Sequence, residues 1–114
     1  MLAERQTIYE RLIEVAQGRE YVNYSDVAPI AGLNMESPAD RNEIADILDG
    51  VSQAEHDAGR PLLSAVVIRI DSNMPGKGFF TLARRLGLHR AGENDLTFWL
   101  RELNRVYDHW APDA

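Results

Sequence analysis

Between Gly59 and Gly87 an apolar run (Leu62, Leu63, Ala65, Val66, Val67, Ile68 and Ile70) empties into a Met74-Pro75-Gly76-Lys77-Gly78 turn, and helical spacing resumes after it. No other stretch limits the fold as much, because a segment so apolar must be covered on both faces. Its density of β-branched residues predicts a strand over Leu62–Ile70. Phe79, Leu82, Ala83 and Leu86 then mark a short amphipathic helix ended by Gly87. The two glycines flanking Lys77 predict a turn that uses positive φ. One strand makes no sheet, so the run needs the Tyr21 segment, the residues around Phe79 or a second chain beside it.

The remaining periodicity is helical. Ile8, Leu12, Val15 and Ala16 stripe a first helix over Ala3–Gln17, ended by Gly18. Tyr21-Val22-Asn23 reads as a minimal strand, and Ser25 as the cap of a short helix that stops at Gly32. After a turn from Asn34 to Pro38, Asp40 caps a longer helix to Asp57, with Ile44, Ile47, Leu48, Val51 and Ala54 on its apolar stripe. A last helix, Asp95–Trp110, follows Gly92 and Asn94, buries Leu96, Trp99, Leu100, Leu103, Val106, Tyr107 and Trp110, and has Pro112 beyond it. The expectation is a single domain, 1–114, of α+β class and mostly helical, with a minimal β-sheet.

The 114 residues include no cysteine, which removes disulfides, thiol nucleophiles and thiolate metal sites and suits a reducing compartment. Charges at the amino terminus where a signal peptide needs an apolar segment, and no run of membrane-spanning length, predict a cytoplasmic protein without membrane contact. The net charge of −6 argues against nonspecific attraction to phosphate. Its distribution is uneven. Residues 1–59 carry four basic against twelve acidic side chains, residues 60–114 eight against six.

Several constellations invite chemistry. A phosphate-binding loop needs glycine five residues before its Gly-Lys pair and a hydroxyl after the lysine, but Asp71 and Gly78 stand there. His56, His89 and His109 share no metal-binding spacing and read as isolated surface histidines. Ser64 lies inside the apolar run, where a buried serine bonded to neighbouring backbone is expected rather than a nucleophile. Asp57, Asp71 and Lys77 offer the best hidden enzyme site, without the carboxylate-x-lysine step of metal-dependent nucleases. No pattern calls for a cofactor or a metal. The outward face of the 40–57 helix, with Glu43, Asp46 and Asp49, reads first as a solvated face and second as a surface for a basic protein partner; Tyr107 with Trp110 reads as core packing that would also suit a homodimer seam.

Tyr21-Val22-Asn23-Tyr24-Ser25-Asp26-Val27-Ala28, then a short helix, a turn, a longer helix and Pro61 opening an apolar segment, resembles in order the winged-helix part of alkyltransferase-like proteins, over residues 21–80. The resemblance implies a small winged helix-turn-helix domain. It implies no alkyl transfer, because the reactive position reads Pro61-Leu62-Leu63-Ser64. The segments Gly59-Arg60-Pro61-Leu62-Leu63-Ser64-Ala65-Val66-Val67 and Met74-Pro75-Gly76-Lys77-Gly78-Phe79-Phe80 are also similar to a bacterial domain of uncharacterised function. In a winged helix the 40–57 helix would enter the major groove, where its acidic side chains are wrong for base reading. A nucleic-acid surface would instead combine Arg60, Asn73 and Lys77 of a wing, and Arg84, Arg85 and Arg90. The expectation is therefore a non-enzymatic binding or regulatory module contacting a protein or nucleic acid, with an acidic-helix adaptor or a cryptic enzyme site near Asp71 and Lys77 as alternatives.

Overall fold

The structure is a computed structural model that describes residues 2–111, with side chains from Arg5 onward; Pro112 lies outside the described residues. Helix α1 (Leu2–Gln17) leads to strand β1 (Val22–Asn23) and the single turn of α2 (Tyr24–Val27). A 3-10 turn (Ala28–Ala31) and a loop bring the chain to α3 (Pro38–Asp57). A second 3-10 turn (Leu63–Val66), β2 (Val67–Ile68), α4 (Lys77–Arg85) and α5 (Asp95–Trp110) complete it. The domain is α+β and mostly helical. Its one sheet is a parallel pairing of β1 with β2, Val22 opposite Val67 and Asn23 opposite Ile68.

The helix ends follow local chemistry. Asn94 caps α5 by accepting from the N–H groups of Leu96 (2.8 Å) and Thr97 (3.3 Å). Two expected caps move. Helix α3 starts at Ser37, whose Oγ accepts from the Asp40 N–H at 3.3 Å, with Pro38 in the first turn. Helix α2 starts after Asn23, whose N–H donates to Asp26, rather than at Ser25. The left-handed residue after α1 is Arg19, next to the expected Gly18.

The apolar run is the centre of the molecule, but it is not the expected nine-residue strand. Leu62 to Ile68 are buried, packed against α1, α3 and α5, and only Val67 and Ile68 are extended. Arg69 and Ile70 are already at the surface. The physical reason is the company this run keeps: helices surround it, and only the two residues of β1 lie alongside as a strand. Its backbone polar groups must then find partners elsewhere. Glu102 of α5 accepts from the Leu62 N–H at 2.8 Å, Ser52 of α3 accepts from the Ser64 N–H at 3.0 Å, and the indole of Trp99 donates to the Ala65 carbonyl at 2.9 Å. Side chains of two helices do the work of neighbouring strands. Ser64 Oγ pairs with Ser52 Oγ at 2.6 Å, so its partner is a side chain rather than the expected backbone group.

Two further expectations change and one holds. Leu96 and Leu100 of α5 are about half exposed at 47% and 46%, because the buried face of α5 is centred on Phe98, Glu102 and Val106. Tyr107 and Trp110 pack against the core, as expected for the apolar side of the last helix, and the Tyr107 hydroxyl donates to the Glu20 carbonyl at 2.7 Å. His89 is buried rather than on the surface.

Candidate functional site

After β2 the chain makes a compact loop before entering α4. The Arg69 N–H donates to the Met74 carbonyl at 2.8 Å, and the Asn73 N–H returns to the Arg69 carbonyl at 2.9 Å. Asn73 takes φ 55°, a left-handed conformation its short polar side chain tolerates. Arg69 forks onto Asp71 at 3.0 and 2.7 Å, an exposed pair. The positive φ expected of Gly76 and Gly78 is absent. Gly76 has φ −73° and is needed for closeness: its N–H donates to the Tyr24 hydroxyl at 2.9 Å, and a Cβ there would stand 2.8 Å from that oxygen. Burial pushes the Tyr24 phenol above its ordinary range, and the Gly76 hydrogen bond partly offsets this.

This anchored loop, α2, α3 and the first turn of α4 enclose a cleft of about 510 Å³. Its walls are mostly apolar: Tyr24 and Met35 on one side, Ala45 and Leu48 of α3, and Ile70 and Phe79 opposite. The buried Ser64 is also part of the lining. Ile70, 69% exposed, stands at the mouth. The charged residues around the cleft are Arg41, Asp49, Arg69, Asp71 and Lys77. Asp49 faces the start of α4, where a Cβ on Gly78 would come within 3.6 Å of its carboxylate. Burial and then Asp46 hold the Asp49 carboxyl above the usual carboxylate range, against the pull of Arg85.

The residues singled out in sequence scatter around this centre. Lys77 borders both the cleft and a second recess, formed with Arg69, Asp71, Ser72 and Arg84. Arg84 in that recess is held by Asp95 at 2.8 Å. Arg85 turns to α3, 3.5 Å from the Gln53 side-chain oxygen, while Asn73 and Arg90 are exposed on separate loops. Arg60 is elsewhere. It forks onto the buried carboxylate of Glu55 at 2.8 and 2.9 Å, in a recess with Arg5 and Tyr9. That pairing raises the Arg60 pKa. Of the acidic residues, Glu43 and Asp46 are exposed and only Asp49 turns into the cleft. Asp71 and Lys77 both line the cleft, but Asp71 is committed to Arg69 and both side chains are exposed.

His89 sits in a polar cluster behind α4. Its Nε2 lies 2.6 Å from Asp95 Oδ1, which also accepts from Arg84, and its ring stacks on Phe98 with centroids 4.7 Å apart. Glu93 beside it is gripped by Arg101, and that hydrogen bond above all lowers its carboxyl to about 2. Among the described residues, no group of three or more His, Asp or Glu side chains is placed to hold a metal ion. No described helix is long and apolar enough to cross a membrane.

No protein family, curated protein or solved structure matches this chain. The cleft residues that sequence reasoning missed are Tyr24, Met35, Arg41, Ala45 and Arg69. Met35 and Ile70 carried a signal, as large apolar residues outside any helical stripe, where solvent or a ligand is the alternative to the core.

Proposed function

We propose that the chain is a non-enzymatic binding or regulatory module of winged helix-turn-helix type, which takes its ligand in the cleft between α3 and the 69–79 segment. The order α1, β1, α2, turn, α3, β2 supports the helix-turn-helix reading, with the 69–76 loop in the place of a wing. The observation that carries the binding assignment is the cleft itself: about 510 Å³, open, apolar on most of its walls and edged by a few charged groups, the usual make-up of a small-ligand site. Calorimetric titration with a neutral apolar probe, phenylbutanol, tests it. Saturable binding that disappears in Ala45→Phe, which fills the cleft from α3, is the expected result. Binding indifferent to Ala45→Phe in a folded variant, or absent for the alcohol and for its acid and amine analogues alike, rejects the site.

A nucleic-acid reading draws on one specific observation, that Lys77 and Arg84 border one recess, with Asn73, Arg85 and Arg90 nearby in sequence. The pairing of Arg84 with Asp95 and of Arg69 with Asp71, and the exposed Glu43 and Asp46 of α3, weigh against it. In a mobility-shift assay no complex is expected even at low ionic strength. A salt-sensitive complex lost in Lys77→Ala would favour nucleic acid instead. For the adaptor alternative, charge reversal at Glu43 and Asp46 is the clean probe, because Asp49 belongs to the cleft.

A further inference from the structure

We propose that the cleft is built for a small amphipathic carboxylate, an apolar body lying against Met35, Leu48 and Phe79 with its anionic head between Arg41 and Lys77; this rests on the cleft being the binding site. The charges that line it do not cancel evenly. Arg69 and Asp71 neutralise each other through two hydrogen bonds. Asp49 is half-buried and is already in the field of Arg85 from outside the cleft. Two cations are left. The Arg41 guanidinium donates to the Met35 carbonyl at 3.0 Å, and among the described residues neither Arg41 nor Lys77 has a carboxylate partner.

These two cations come from different elements, the first turn of α3's exposed side and the first residue of α4, and both reach the same apolar space. An apolar cation would face both of them, with Asp49 as its sole free counterion. A neutral apolar ligand would leave both without an anionic partner. An apolar carboxylate gives each a charge-assisted partner at the solvent-exposed rim and covers Ile70 at the mouth.

Three probes of one shape and different head groups decide the matter: phenylbutyrate, phenylbutanol and phenylbutylamine, titrated calorimetrically at low ionic strength. The acid is expected to bind about threefold to tenfold more tightly than the alcohol, the size of effect one or two exposed charge contacts give. The amine is expected to be weakest. The double variant Arg41→Met, Lys77→Met makes acid and alcohol equal, whereas Arg41→Lys, which keeps the charge, retains the preference. Asp49→Asn tightens the acid, and added salt weakens it toward the alcohol. An acid no tighter than the alcohol, an amine that binds best, or a preference unmoved by the double variant overturns the proposal. If the alcohol binds and the acid is no better, the head-group assignment fails while the cleft stands. If none of the three binds saturably, the cleft itself is lost.

Discussion

Two neighbouring regions of this molecule use polar groups in opposite ways. At the corner formed by residues 55–66, buried charges and hydroxyls are matched to one another. Glu55, 1% exposed, takes both prongs of Arg60, and Glu102, also 1% exposed, holds the Leu62 N–H while Arg105 covers its other oxygen. Ser52 and Ser64 complete each other. A few residues on, the cleft beside the 69–79 loop has apolar walls open to solvent and two cations, Arg41 and Lys77, that have no carboxylate partner among the described residues. The corner can accept nothing more, because its hydrogen-bonding capacity is spent inside the fold. The cleft keeps capacity in reserve. Ser64 joins them, since it is locked into the corner and also lines the cleft.

Removing one member of the corner should therefore cost stability, while changes at the cleft should cost little. The largest effect is expected for Arg60→Ala, which leaves the buried Glu55 carboxylate without its counter-charge; a loss of about 3 kcal/mol in urea unfolding is expected, as for other broken ion pairs that strand a buried charge. A loss within 0.5 kcal/mol or so would show the pair to be ornamental. Glu102→Ala strands the buried Leu62 N–H and should cost about 1–3 kcal/mol, with faster amide exchange at Leu62. Tyr24→Phe removes the acceptor of the Gly76 N–H and should cost about 1 kcal/mol, with amide exchange accelerated across 69–76 and unchanged at Leu62.

Smaller changes sharpen the contrast. At Gly78 a Cβ would meet Asp49 at an ordinary 3.6 Å, and the residue is helical, so Gly78→Ala should stabilise the fold by up to about 0.5–1 kcal/mol. At Gly76 the same change would drive into the Tyr24 hydroxyl and should destabilise. The smallest effect belongs to Glu93. Its folded carboxyl, lowered to about 2, gives a contribution fully present above its ordinary value and lost as the pH falls through about 2. Acid unfolding of Glu93→Gln should lack that component, and an unchanged acid limb would deny the Arg101 pairing any role.

The helices were legible in sequence because each carries its own period and punctuation: Gly32, Gly59 and Gly87 take the positive φ that ends an element, and Asn94 caps α5. The apolar run was not, because β-branched density records burial and does not say whether strands or helices do the burying. Glu102, in the middle of the stripe of Phe98 and Val106, and Glu55, one turn beyond Val51, carried a readable sign, since a carboxylate on an apolar face needs an internal partner. The cleft was illegible for a different reason. Tyr24, Met35, Arg41 and Ala45 lie far in sequence from Lys77, and the seating of β2 beside β1 together with the packing of α4 on α3 brings them together. Arg60 and Lys77, both assigned to one basic surface by charge alone, part company because a buried carboxylate claims the first and none claims the second.

The central claim, that the cleft receives a ligand while the corner only holds the fold, is tested most directly by amide NMR during titration with phenylbutyrate. The expected result is saturable shifts confined to Tyr24, Arg41, Ala45, Asp49 and the Gly76–Phe79 amides, with Arg60 and Leu62 unmoved. Shifts centred on the corner or spread along α5, or none at all, would contradict it.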